Sequence, residues 1–130
     1  MYPKELMTGI YWGFWGGKYN SQEEFVHSVT AYNKELGRKK WNANDTVLAS
    51  SKATILYSYW DYDIDEEVEE VIELEADNET GFTAGELLYK VHNQVVEKLE
   101  NESHHIFEGF LLGQNESTLN QPFYFIKQGL

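Results

Sequence analysis

The side chains most able to do chemistry in this chain are carboxylates. Eleven of its 22 acidic residues stand between Asp61 and Glu79, a stretch that holds no Lys or Arg. Acidic groups at that density can ligate a hard cation, exchange protons, or present a charged surface to a partner. Asp61, Asp63 and Asp65 match the first, third and fifth places of a calcium-binding loop. The sixth place, which needs glycine for a sharp turn, is Glu66, and the twelfth, which needs a bidentate glutamate, is Ile72. Those two mismatches argue against a specific calcium loop. Paired carboxylates, the requirement of glycoside hydrolysis, carry little information where acids are so abundant. The surface reading remains. With a formal charge of −12, the chain repels nucleic-acid phosphates and anionic membranes and attracts basic proteins, cations or polyamines.

Other catalytic chemistry lacks its residues. There is no cysteine, so disulfides and thiolate metal sites are excluded. No serine lies in a Gly-x-Ser-x-Gly setting, and Trp12-Gly13-Phe14-Trp15-Gly16-Gly17 matches neither glycine-rich phosphate loop. His27 and His92 fall inside predicted helices. His104 and His105, with Glu108 nearby, follow the second helix at no strong metal-ligand spacing and read as a solvated connector. The chain is therefore expected to be a binding protein, with no catalytic residue, metal or cofactor.

These carboxylates have to be held by a fold. At 130 residues, with 42% hydrophobic and 15% aromatic residues, the chain can bury one core. Thr8 to Trp15 sets Ile10, Trp12 and Phe14 against Tyr11, Gly13 and Trp15, the period of a strand. Ser21 and Glu24 form a capping-box pair, after which Phe25, Val29, Tyr32 and Leu36 recur at helical spacing up to Gly37. Thr46 to Ser50 predicts a short strand, and Ala53 to Ile64 with Glu67 to Asp77 predicts a hairpin. Thr83 and Glu86 start a second helix, with Leu88, Val91, Val95 and Leu99 on one face, running to about Asn101. Ile106 to Gly113 and Phe123 to Gln128 read as strands around a polar Gln114–Gln121 loop. The whole predicts one α+β domain, 1–130, in the order β-α-β-β-α-β-β: a mainly antiparallel sheet with two helices packed on one face.

Within the hairpin, parity assigns the faces. Leu56, Trp60, Tyr62 and Ile64 are expected inside, with Asp61, Asp63 and Asp65 outside. On the second strand Val68, Ile72, Leu74 and Ala76 are expected inside and Glu69, Glu73, Glu75 and Asp77 outside, with Glu70 and Val71 breaking the pattern. Pairing then brings two acidic faces together, at a cost of up to about 1 kcal/mol per like-charged pair. Asp61, Asp63, Asp65, Glu69, Glu73, Glu75 and Asp77, with Tyr59 as an aromatic anchor, are the expected partner-binding residues. The competing reading is a solvated face that protects an edge and keeps the protein soluble.

Three stretches, Gly85 to Asn93, His105 to Phe110 and Pro122 to Gly129, resemble segments of small acidic bacterial immunity proteins from polymorphic and contact-dependent inhibition toxin systems. The likeness covers roughly the C-terminal third. It implies a protein that binds one cognate basic toxin domain, often a nuclease, and blocks it without chemistry of its own. The expected setting is the cytoplasm, as a monomer or homodimer with no nucleic-acid or membrane partner: no apolar run approaches the roughly 20 residues of a membrane span, and Met1-Tyr2-Pro3-Lys4-Glu5 lacks a signal-peptide layout. The alternative is a small-molecule-binding or enzymatic α+β domain that uses the Trp12 to Trp15 aromatics as a pocket, with His105.

Overall fold

A computed structural model of the chain describes residues 2–130. It contains eight strands and two helices: β1 Glu5–Leu6, β2 Trp12–Gly13, α1 Gln22–Glu35, β3 Thr46–Leu48, β4 Lys52–Asp61, β5 Glu66–Glu75, β6 Phe82–Thr83, α2 Ala84–Leu99, β7 Ile106–Leu112 and β8 Phe123–Gly129. The main sheet runs β1-β7-β8-β4-β5, with β2 also paired to β7, while β3 and β6 form a separate ribbon. The class is α+β and the pairing mainly antiparallel. One ladder departs from that: β4 and β8 run parallel, matching Ile55 with Tyr124 and Leu56 with Phe125. Where those strands part, the Gln128 side-chain amide donates to Ser58 C=O and accepts from its N–H, both at 2.9 Å, and so replaces the missing rung.

Both helices start where their capping residues require. Ser21 Oγ accepts from Glu24 N–H and Thr83 Oγ1 from Glu86 N–H, each at 3.2 Å. In α2 the reciprocal arm of the box is diverted: the Glu86 carboxylate takes Asp77 N–H at 2.6 Å and the Lys90 ammonium at 2.9 Å. α2 lies against β4, and α1 packs beside it on α2 and β2. Phe25 and Val29 from α1, Leu88, Val91, Val95 and Leu99 from α2, and Ala53, Ile55, Tyr57, Phe107, Phe110 and Tyr124 from the sheet form one core. Among the described residues no helix is long and apolar enough to cross a membrane.

The segment from Thr8 to Trp15 keeps its expected faces, with Ile10, Trp12 and Phe14 buried and Tyr11 and Trp15 exposed, but only Trp12–Gly13 is paired. Trp12 fits into a ring of side chains around His92. Its indole N–H donates to His92 Nδ1 at 3.1 Å, so Nε2 carries the ring proton and donates to Gly17 C=O at 2.8 Å. Burial pushes the His92 pKa below its ordinary value, against the opposing pull of the Gly17 hydrogen bond and the Glu100 charge. This is a neutral, fully bonded core histidine. Asn33 does comparable work near Tyr11, accepting from its N–H and donating to its C=O, both at 2.8 Å.

The hairpin corrects one expectation. In β4 the odd residues Ala53, Ile55, Tyr57 and Tyr59 face the core, whereas Trp60, Tyr62 and Ile64 are 40%, 76% and 56% exposed. The reason is local. Tyr62, Asp63, Ile64 and Asp65 are a four-residue turn rather than strand, with Asp63 N–H bonded to Asp61 Oδ1 at 2.9 Å and Asp65 in the left-handed region at φ 55°. Turn residues carry no information about strand faces.

Candidate partner-binding surface

The correction rearranges the acidic residues. β4 and β5 pair over ten residues, with Ile55 opposite Ile72, Tyr57 opposite Glu70 and Tyr59 opposite Val68 on the inner face. On the outer face Glu67, Glu69, Glu73 and Glu75 stand opposite Trp60, Ser58, Thr54 and Lys52. The two acidic faces expected to adjoin therefore do not. Only Asp61 opposite Glu66 sets carboxylate against carboxylate. The carboxylates form a single file along β5 that continues into the turn, so the expected repulsion inside the hairpin is largely absent.

Glu69, Glu73 and Glu75 are exposed on β5, and Asp63 and Asp65 at the turn; Asp61, at the end of β4, is partly covered. Asp77 lies beyond β5, where it accepts from Lys90 Nζ at 2.8 Å. Burial works against the Lys90 ammonium, but its bonds to Asp77 and Glu86 prevail and hold its pKa above the ordinary lysine value. Among the described residues Asp77 is thus the one member of the acidic stretch in an ion pair. Among the described residues the other ten carboxylates between Asp61 and Glu79 have none.

Tyr59 is not on this surface. It is 9% exposed, its ring lies 5.9 Å from that of Tyr57, and Lys98 Nζ sits 4.9 Å from its centroid. Tyr57 donates to one oxygen of Glu70 at 2.5 Å and Tyr59 to the other at 3.3 Å. Glu70, which breaks the sequence pattern, is thereby explained: it turns inward to accept from two tyrosines. Burial, the hydrogen bond to Glu70 and its charge together raise the Tyr57 pKa. Val71, the other break, is 55% exposed on the outer face.

That outer face has its own pattern. Val71 pairs with Leu56, Leu56 with Phe125, Phe125 with Leu111 and Leu111 with Glu5, giving one apolar row across four strands with carboxylates beside both its ends. The sequence reading missed Glu67 and this row. Glu67 was visible as an odd residue of β5, but Leu56 and Phe125 meet only through the parallel ladder, which no local pattern announces.

The alternative aromatic site is divided by the fold. Trp12 and Phe14 are sealed in the core, while Trp15 is exposed and meets His105 edge-on at 5.1 Å. A separate cleft of about 640 Å³ lies between the hairpin turn and the α2–β7 connection, lined by Trp60, Tyr62, Glu67, Glu102, His104 and Gln128. Glu102 closes one wall by accepting Trp60 N–H at 2.5 Å. Among the described residues no group of three His, Asp or Glu is placed to hold a metal ion.

No family model, curated protein or solved structure matches this chain.

Proposed function

We propose that this chain is an immunity-type inhibitor, a cytoplasmic protein that neutralises a basic toxin by direct binding and performs no reaction itself. The observation that carries the reading is the file of carboxylates along β5 and its turn, within a stretch of eleven acids of which, among the described residues, ten have no ion pair. A surface kept only for solubility intersperses both signs. A single-sign file steers: complementary charge raises association from about 10⁵–10⁶ to 10⁸–10⁹ M⁻¹s⁻¹ at low salt. Such a file also imitates the phosphate charge that a nuclease groove expects. The segments that resemble immunity proteins fall on α2, β7 and β8, so the resemblance speaks for the scaffold, and the charge of β5 speaks for the partner.

The test is retention of a basic protein from the source strain by the immobilised chain. Replacing Glu67, Glu69 and Glu73 by Lys should abolish it, with folding kept, because each sits opposite an uncharged residue of β4. Equal retention by the native and reversed proteins would reduce the acidic file to a solubility device. A second reading, a small-molecule binder, is favoured only by the cleft beside Trp60 and His104. It predicts a metabolite that raises the melting temperature and loses that effect in Trp60→Ala.

A further inference from the structure

The direction of the backbone groups along β5 specifies more than a charged surface. Among the described residues β5 is the last strand of the sheet and pairs with β4 alone. Just past its end, Ala76 N–H donates to Ser51 C=O at 2.8 Å. Bonded and non-bonded pairs alternate in an antiparallel ladder. Counting back along the β4–β5 ladder, Leu74, Ile72, Glu70 and Val68 turn their N–H and C=O toward β4, while Glu75, Glu73, Val71, Glu69 and Glu67 turn theirs away. Two further contacts agree with that phase: Lys90 Nζ donates to Glu75 C=O at 2.7 Å, and Asp77 N–H is held by Glu86. Among the described residues nothing bonds the outward backbone groups of Glu67, Glu69, Val71 and Glu73.

Long open edges are templates for another strand, and proteins ordinarily blunt them with bulges, prolines, lysines or a covering element. The β4–β5 register runs without a shift over ten residues, and β5 contains no Pro and no Lys. Its only guard is negative charge. That guard is selective, because two β5 edges brought together set Glu against Glu, whereas a basic strand meets no such barrier.

We propose that β5 receives an extended segment of a basic protein as an added strand, with Lys or Arg at alternate positions facing Glu67, Glu69 and Glu73 and apolar residues between them. Side chains alternate across a sheet, so the residues between the basic ones fall on the inner face beside Val68 and Ile72. Both are half-buried at the margin of the core and gain cover from an apolar neighbour. The inference rests on the basic-partner reading and specifies how that partner is held.

The probe is a synthetic eight-residue peptide of alternating lysine and valine, added to the intact protein while amide exchange is followed by NMR. Exchange at Glu67, Glu69, Val71 and Glu73 should slow by about tenfold or more, with little change at Val68, Glu70 and Ile72, whose N–H groups already bond β4. A peptide N-methylated at alternate residues should give no protection. Val71→Pro, which removes one outward N–H and no bond to β4, should weaken the peptide about tenfold or more. Unaltered exchange at the outward amides, or equal protection by a glutamate–valine peptide, overturns the proposal. So does concentration-dependent protection without peptide, which would make the occupant a second copy. If the amides stay unprotected while the native partner still binds through Glu67, Glu69 and Glu73, strand addition fails and the inhibitor reading stands.

Discussion

The sheet ends differently on its two sides. Beyond β7 the chain lays down two strands of two residues each: Glu5 and Leu6 pair with Leu111 and Phe110, and Trp12 and Gly13 pair with Phe107 and Ile106. Between them the backbone turns through Met7 at φ 59° and Gly9 at φ 82°, opposite an irregularity in β7 at Gly109, φ 116°. Phe14 N–H to His105 C=O and Leu112 N–H to Lys4 C=O extend the cover at both ends. Backbone groups there are used up in short, bent pieces that offer no template. β5 is itself long and regular, and among the described residues nothing bonds its outward backbone groups from Glu67 to Glu73. One edge is closed by geometry and the other only by charge. Closure by geometry excludes every strand, while closure by charge excludes only strands of the same sign.

The sharpest way to break this comparison is to remove packing behind each edge. Phe110→Ala, at a fully buried position beside Leu6, should cost about 3–5 kcal/mol, whereas Val71→Ala on the open edge should stay within about 0.5 kcal/mol in urea titrations. Comparable losses would mean that the open edge is structural. Gly109→Ala tests the geometric closure directly. A Cβ there would lie 2.9 Å from Thr8 Cγ2 and 3.1 Å from Leu6 O at a φ that side chains avoid, so about 1–3 kcal/mol should be lost. A neutral result would remove strain from the account of that edge.

Acid should act on the closed side as well, through His92 and its bond to Trp12. A histidine whose pKa is lowered by folding binds fewer protons folded than unfolded, so its contribution is complete above its ordinary value of 6.5 and declines as pH falls below it. Native protein should therefore lose more stability than His92→Gln between about pH 7.5 and 5.5. Parallel losses would assign the acid sensitivity elsewhere. Thr83→Ala removes only the α2 cap and should cost about 1 kcal/mol while leaving both edges as they are. The smallest change is expected from Val71→Pro, within about 0.5 kcal/mol, because the lost N–H bonds no strand. A cooperative loss of several kcal/mol there would show that the phase along β5 is the reverse of the one described.

Much of the framework was legible in the residues. The caps at Ser21 and Thr83, the α2 stripe from Leu88 to Leu99, and the faces of Ile10, Trp12 and Phe14 follow from local spacing alone. The inner face of β4 did not, because Leu56 and Trp60 are as apolar as Ile55 and Tyr57, and Tyr62 and Ile64, which tip the parity, belong to the turn. Periodicity also hid the parallel β4–β8 ladder and the two-residue β1, since both depend on residues distant in sequence. Of the residues expected to bind a partner, Glu69, Glu73 and Glu75 lie where the alternation of β5 puts them. Tyr59 was misplaced by the parity error in β4, and Asp77 was expected free because nothing in the sequence announces its ion pair with Lys90.

That lysine has a further consequence. By occupying Glu75 C=O while Glu86 occupies Asp77 N–H, α2 puts a stop at one end of the exposed strand, and the Tyr62–Asp65 turn ends it at the other. The accessible backbone between these stops is a ruler running from Glu67 to Glu73. At about 3.3 Å per residue its span is roughly 20–25 Å. A visiting segment much shorter than this leaves rungs unmade, and one much longer overhangs into Lys90 or the turn, so the helix that supports the sheet from behind also gauges the length of what can be laid along its margin.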